Sequence, residues 1–352
     1  MDPLTQGLLG AAAAQAVFSR QLGRYAWVIG MASGMAADLD VVIESSTDPL
    51  LGMMVHRGFT HAMAFVPIGA AIAALPFLWI KSLRYRRRAI LGASLLAYAT
   101  HAPLDALTSY GTLLFWPFSD YRVALDWMPI IEPVFTLMLL IGVIVAAWKR
   151  SVKPARVALL AGALYVSLGA IQHQRALTVQ LDLADSRIHT IERRRVMPTL
   201  GNLVVWRSVY QAKGLLQADM IRLPAQGVAT YRPGERLMLR VSKDRPQPPA
   251  DSVLARDIAR FTWFSDGFIA PVGGDLNLLG DMRYSLESHR FRPLWAIRID
   301  PARPDQHVTI EYLRRSDARD SIDQLLRDIW YQNPDDPLVD DIGVVETPRR
   351  RP

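Results

Sequence analysis

The 352-residue chain contains no cysteine. This excludes disulfides, thiolate metal sites and thiol nucleophiles, and leaves histidine, aspartate and glutamate as the side chains able to hold a metal. Its net charge of +7 has no single basic focus: only 13 of the 40 lysines and arginines precede His173, and those downstream are interleaved with 24 acidic residues. A nucleic-acid footprint is therefore not expected. The start, Met1-Asp2-Pro3-Leu4-Thr5-Gln6, has no basic segment of a secretory signal, so the N-terminus is expected to be retained. Internal repeats and low-complexity blocks are also missing.

Long apolar runs are present, and they crowd into the first half. A run of about 20 apolar residues spans the ~30 Å hydrocarbon core of a bilayer as a helix. Six candidates are expected, at residues 4–18, 25–42, 60–80, 89–107, 127–148 and 157–171. Basic turns follow the first, third and fifth: Arg20 and Arg24, then Lys81 to Arg88, then Lys149 to Arg156. Short basic loops stay cytoplasmic. Six crossings with these turns inside put both termini, and the helix ends that carry Asp2, Asp38, Asp40, His56, His61, His101, Asp105 and Glu132, on the outer face.

Ionisable groups inside such segments are costly and mark function. His101 and Asp105, four residues apart, leave one face of a helix and are placed to hold one ion. Asp38 and Asp40 reach inward together only where a helix ends and unwinds, and two such carboxylates repel unless a cation lies between them. His56 and His61 are five apart, a poor helical match that allows separate roles. Glu132 precedes Pro133, where a carboxylate also serves a helix start. His173, His189, His289 and His307 lack matching carboxylate pairs and read as surface or structural.

From Gln174 the pattern changes to short β-rich stretches, among them 203–210, 219–223, 237–241, 294–299 and 308–313, with helices before Trp263 and over 318–331. Pro and Gly turns such as Arg232-Pro233-Gly234 separate the strands. The fold expected is a mainly α membrane domain of about six helices over 1–173, followed by a β-rich α+β soluble domain over 174–332. A tail rich in Pro, Asp and Arg over 333–352 is expected to be disordered.

Asp2-Pro3-Leu4-Thr5, Asp38-Leu39-Asp40, His56-Arg57-Gly58-Phe59-Thr60-His61, His101-Ala102-Pro103-Leu104-Asp105, Thr108-Ser109-Tyr110-Gly111 and Trp116-Pro117-Phe118-Ser119 together resemble the YdjM-type family of membrane-bound metal-dependent hydrolases. That family is usually grouped with zinc-dependent phospholipase C and P1 nuclease proteins. The resemblance covers roughly the first 175 residues and implies a divalent metal, zinc by kinship, with Asp38, Asp40, His56, His61, His101 and Asp105 as metal ligands. One departure is Gln6, where relatives often carry histidine; an amide is a poor zinc ligand. Within this reading Arg57 pairs with a substrate phosphate, and Asp40 or Glu132 acts as base. The expected protein is an inner-membrane hydrolase of a phospholipid or other phosphoester, with its site and C-terminal domain on the periplasmic side. The competing reading is a non-catalytic metal- or lipid-binding membrane protein that presents its soluble domain to a protein partner. Transport is disfavoured, because the polar groups gather at one rim.

Overall fold

The computed structural model describes residues 1–225, 227–239, 248–313 and 318–330. The expected tail, and the expected strand beyond residue 239, lie outside these residues. Contacts divide the chain into two units: Met1–Ser45 with Leu51–Ile171, and Ser46–Leu50 with the chain from Gln172.

The first unit is helical. Helix α1 (Pro3–Leu22) starts where Asp2 accepts from the Thr5 backbone N–H at 3.0 Å, with Pro3 in the first turn. A capping carboxylate and an N1 proline both favour a helix start. Gly23, at φ 57°, returns its N–H to the Ser19 carbonyl and ends the helix. Helix α2 (Tyr25–Met35) packs along α1 so closely that a Cβ on Gly10 would stand 2.4 Å from the Gly30 carbonyl oxygen. Only glycine on both helices permits that approach. Residues Ala36–Val42 then tighten into a 3₁₀ helix that carries Asp38 and Asp40.

After α3 (Leu51–Val55), the expected helix over 60–80 is shortened. Short 3₁₀ turns occupy Phe59–His61 and Met63–Phe65, with Ala62 extended between them, and α4 runs only over Val66–Leu78. Pro67, which has no N–H to give a preceding turn, fits the first turn of α4. His61 therefore projects from a turn. Helix α5 (Arg87–Ala106) bears His101 and Asp105. Helix α6 begins at Pro133, later than the expected 127, because Pro133 takes the first helical position behind the Glu132 cap, and it runs to Lys149.

Helix α7 (Lys153–Ser186) is far longer than the expected 157–171. Its polar second half stays helical because Ala176, Val179, Gln180, Leu183 and Ala184 are buried at three- and four-residue spacing. Among the described residues, α7 is the one helix long and apolar enough to cross a membrane unaided. Leu51–His61 and Met63–Leu78 pass the same test only as a pair bent by 59°, and α6 is apolar but shorter. The six expected crossings thus correspond to six helices, most of them too short or too polar to qualify as spans by length and composition alone.

The three basic turns gather around one end of α1. Arg86 donates to the Gln21 carbonyl, and Arg156 Nε donates to the Ala16 carbonyl at 3.0 Å. At the other end of α1, Gln6 donates to the His101 carbonyl at 3.3 Å.

The second unit contains two antiparallel four-stranded meanders. The first joins β1 (Arg193–Pro198), β2 (Val205–Ala212), β3 (Leu215–Arg222) and β4 (Thr230–Met238). Helix α8 (Val253–Phe264) precedes the second, made of β5 (Ile269–Val272), β6 (Asp275–Asp281), β7 (Trp295–Arg298) and β8 (Thr309–Tyr312); α9 (Ala318–Trp330) follows. The expected turn at Arg232-Pro233-Gly234 lies instead inside β4. That strand is at the edge of its sheet, and its register slips opposite Gln217 and Asp219, which accommodates a residue without an N–H. A Cβ on Gly234 would stand 2.2 Å from the His289 carbonyl oxygen, so a bare backbone is needed there.

Met197, Val209, Leu216 and Ala218 from the first sheet share a core with Phe268, Ala270 and Met282. Arg207 is buried beside this core and donates to the carbonyls of Met282, Arg283, Glu287, Ser288 and Arg290 at 2.6–3.3 Å. Burial lowers its pKa to about 9, still high enough to keep the guanidinium charged at neutral pH.

Candidate metal centre

Asp38 from the 3₁₀ helix, His61 from the following turn, and His101 and Asp105 from α5 converge in the first unit. The Nε2 atoms of His61 and His101 are 2.9 Å apart. Asp38 Oδ1 lies 3.4 and 3.3 Å from them, and Asp105 Oδ2 3.2 and 3.4 Å. All four atoms lie within 4.8 Å of one another. The five distances that involve a ring nitrogen, 2.9–3.4 Å, are close to the ~3.3 Å edge of a tetrahedron whose centre lies ~2.0 Å from each corner, the bond length of zinc to histidine nitrogen or carboxylate oxygen.

The far side of each imidazole decides what faces this centre. His101 Nδ1 sits 2.6 Å from the Gly34 carbonyl oxygen, which can only accept, so Nδ1 carries the proton. His61 Nδ1 sits 3.2 Å from Asp40 Oδ2 and 3.0 Å from Thr60 Oγ1; that hydroxyl donates its own hydrogen to Asp40 at 2.6 Å. His61 Nδ1 is thus a donor too. With Nδ1 donating on both rings, each neutral imidazole presents its Nε2 lone pair to the other ring and to two carboxylate oxygens. Positive charge placed among these four atoms stabilises the set. Asp105 Oδ2 is buried without a hydrogen-bond partner, as is Asp38 Oδ2. The donor set fits a divalent metal.

Asp40 and His56, both expected as ligands, stand one layer back. Asp40 accepts from His56 Nδ1 at 2.8 Å, from the Arg57 N–H at 3.2 Å and from Thr60, besides its contact to His61. The unwound segment puts the two carboxylates on opposite sides of His61, Asp38 at Nε2 and Asp40 at Nδ1. A carboxylate behind a metal-binding imidazole orients the ring and raises its basicity. Glu132, expected as a possible base, is the cap of α6 and accepts from the Val134 N–H at 3.2 Å. Asp2 likewise caps α1. Gln6 supports the His101 backbone from behind.

Arg57 is the one cationic side chain expected here, and it is only 4 % exposed. Its backbone is left-handed, at φ 61°, a strained conformation for an arginine that turns its guanidinium inward. Nη2 lies 3.3 Å from Asp105 Oδ1 and Nη1 donates to Thr108 Oγ1 at 3.0 Å. The guanidinium carbon lies 4.8 Å from the centre of the Tyr110 ring, and Nε is buried without a partner. The Met1 amine also contacts Asp105. The supporting role of Gly34 escapes sequence reasoning, because a backbone carbonyl leaves no residue signature, and Thr60, which acts through its hydroxyl, is not singled out within the motif from His56 to His61. Thr108 and Tyr110 fall in the Thr-Ser-Tyr-Gly motif after Asp105.

A second group of suitable side chains, Asp48, Asp257 and His307, occurs in the second unit. Arg260 spans both of its carboxylates, reaching Asp48 at 2.9 Å and Asp257 at 3.2 Å, and His307 Nδ1 and the Val308 N–H meet Asp257 at 2.9 and 3.1 Å. Its cation is built in.

No curated protein and no solved structure matches the chain significantly. A family model described as YdjM inner membrane protein matches residues 1–176, the half that holds the converging aspartates and histidines, and the chain accordingly belongs to that family.

Proposed function

We propose that the chain is a metal-dependent hydrolase of the inner membrane that acts on a phospholipid or another phosphoester. The observation that carries this reading is the convergence of two Nε2 atoms 2.9 Å apart with two carboxylate oxygens, all four within 4.8 Å of one another. His61, His101, Asp38 and Asp105 would hold the ion, and the all-N,O tetrahedral set favours zinc. A divalent ion there supplies Lewis acidity, which polarises a phosphoryl oxygen and lowers the pKa of water from 15.7 toward ~7.

The chain's own groups fit this chemistry. Asp40 and the Gly34 carbonyl hold the two imidazoles in the tautomer that presents Nε2. Arg57, whose guanidinium reaches Asp105 and whose Nε is without a partner, suits an anionic phosphoester oxygen. Asp40 has its oxygens committed to four donors, which leaves Asp38 as the carboxylate with an uncommitted oxygen, and at 17 % side-chain exposure it is the most accessible of the four ligands. Kinship to zinc-dependent phospholipase C proteins rests on the His101–Asp105 pair alone. The gathering of basic turns at the far end of α1 supports a multi-pass orientation with the centre and the C-terminal unit on the periplasmic side.

One observation favours the non-catalytic alternative: four protein ligands already complete a tetrahedron, as in structural zinc sites, whereas catalytic sites keep one position open. Metal analysis of the purified full chain, followed by assays on a panel of phospholipids and generic phosphodiesters, separates the two. Bound metal with metal-dependent turnover supports the hydrolase. Bound metal without turnover supports the structural role, and no bound metal overturns both.

A further inference from the structure

The end of the first unit remote from the metal centre has a cavity of its own. It measures about 820 Å³ and is lined by Phe18, Arg20, Gln21, Arg84 to Arg88 and Ala89. Five of these residues are arginines and none is acidic. The sequence has no acidic residue at positions 3–37 or 49–104, so neither α1 nor the helices beside the cavity offer a counter-ion. Among the described residues, no carboxylate pairs with any of the five. Arg86 is anchored on the Gln21 carbonyl and Arg84 on the Tyr85 hydroxyl at 2.5 Å, which keeps both at the cavity. Helix α5 begins here, and the partial positive charge of its N-terminus adds to the same sign.

Five guanidinium groups without a carboxylate around one cavity repel one another, and an anion relieves that repulsion. The surroundings identify what the anion is attached to. Tyr85, which lines the cavity, and Trp79, at the end of α4, are 84 % and 83 % exposed, the placement of aromatic side chains at a bilayer interface. Along α5, Arg87 is followed on the same face by Leu91 and Leu95, which are 42 % and 45 % exposed. Val17 is exposed one turn before Arg20 on α1, and Ile72 and Leu75 are exposed on α4. Charge at the helix end with bare apolar side chains beneath it matches an amphiphile, not a free phosphate.

We propose that this cavity binds the headgroup of an anionic phospholipid, its phosphates among Arg20, Arg84, Arg86, Arg87 and Arg88 and its acyl chains along Leu91 and Leu95. The site is independent of the metal centre, since the 14 residues from Arg87 to His101 put it ~21 Å away along α5. Basic pockets between helices recognise polyanionic headgroups in this way.

The test is native mass spectrometry of the purified full chain in neutral detergent, titrated separately with diphosphatidylglycerol, phosphatidylcholine and glycerol phosphate. Diphosphatidylglycerol is expected to bind at least tenfold more tightly than phosphatidylcholine, and glycerol phosphate to remain unbound at the same concentrations. Arg20→Gln with Arg87→Gln should weaken diphosphatidylglycerol at least tenfold, whereas Arg24→Gln, which removes a charge from the same end of α1 outside the cavity, should stay within twofold. Equal binding of the two lipids overturns the proposal, as does glycerol phosphate binding as well as diphosphatidylglycerol, or a loss with Arg24→Gln as large as with the cavity pair. The three-ligand comparison on the unaltered chain is decisive even if the double variant does not fold.

Discussion

In the first unit two aspartates and two histidines turn one ligand-type atom each toward a common point, while in the second unit two aspartates and a histidine gather around an arginine. The side chains are of the same kinds and the distances are similar. What differs is where their protons and charges go. His61 and His101 spend their N–H donors outward, on Asp40 and Gly34, and aim bare nitrogens inward. His307 spends its contact on Asp257, and Arg260 supplies the positive charge for both carboxylates. Arg57 and the Met1 amine reach only Asp105 Oδ1 and leave Asp105 Oδ2 and Asp38 Oδ1 facing the two imidazoles, whereas Arg260 bridges both carboxylates of the second group.

The largest expected effect follows directly. Removing a ligand by His101→Ala or Asp105→Asn should lower metal affinity more than about 100-fold, beyond the 10–100-fold typical of groups one layer back. Asp257→Asn and His307→Ala should leave the metal content of the purified full chain at the wild-type level. Elemental analysis of the five proteins checks this. Wild-type content in His101→Ala, or equal depletion in all four variants, erases the distinction between the two groups.

Much of the first group is legible in the residue pattern. His101 and Asp105 stand out because a helix fixes the i,i+4 relation, and Asp38 because buried acid is expensive. Asp40 and His56 also come to the site, but their layer depends on which side of the His61 ring each carboxylate meets. That is set by a 3₁₀ turn whose geometry no residue pattern announces. The same limit explains the shortened α4 and the extended α7. Apolarity marks a run without saying where its backbone stops being helical. In the second unit, strands over 203–210 and 308–313 are visible from alternation, while Pro233 and Gly234 mimic a turn inside an edge strand.

Asp40→Asn sharpens the comparison within the first unit. The amide keeps the shape, loses the charge behind His61 Nδ1 and no longer enforces its tautomer. Metal affinity should fall about 10–100-fold, with binding still saturable at higher concentration. Competition with a chromogenic chelator measures it. A fall as large as that of His101→Ala would move Asp40 into the ligand shell, and no fall would remove it from the site.

Arg260→Met tests the second group from the other direction. Asp257 is almost fully buried and would lose its main counter-charge, but Arg260 is 30 % exposed and solvent screens part of the effect. A loss of about 1–2 kcal/mol is expected in chemical unfolding followed by a probe in this unit. The variant should also gain stability from added divalent cations where the wild type does not. If cations leave the variant unchanged, the charge argument fails for this group.

His56→Ala should give the smallest effect. His56 touches Asp40 through a single contact of 2.8 Å from a side chain that is 29 % exposed. After its loss, Asp40 still receives the Arg57 N–H, the Thr60 hydroxyl and His61 Nδ1, so the carboxylate keeps its place. A solvent-screened contact of this kind contributes roughly 1 kcal/mol or less, which corresponds to no more than about a fivefold loss of metal affinity. The three first-unit variants then form a ladder of decreasing loss, His101→Ala, Asp40→Asn, His56→Ala, that follows distance from the central point rather than residue type. A histidine ligand and a histidine two contacts removed would be separated by at least an order of magnitude in the same chelator titration. If His56→Ala instead matches His101→Ala, His56 binds the ion itself, and the layered arrangement around His61 gives way to a wider centre that takes Asp40 and His56 as ligands.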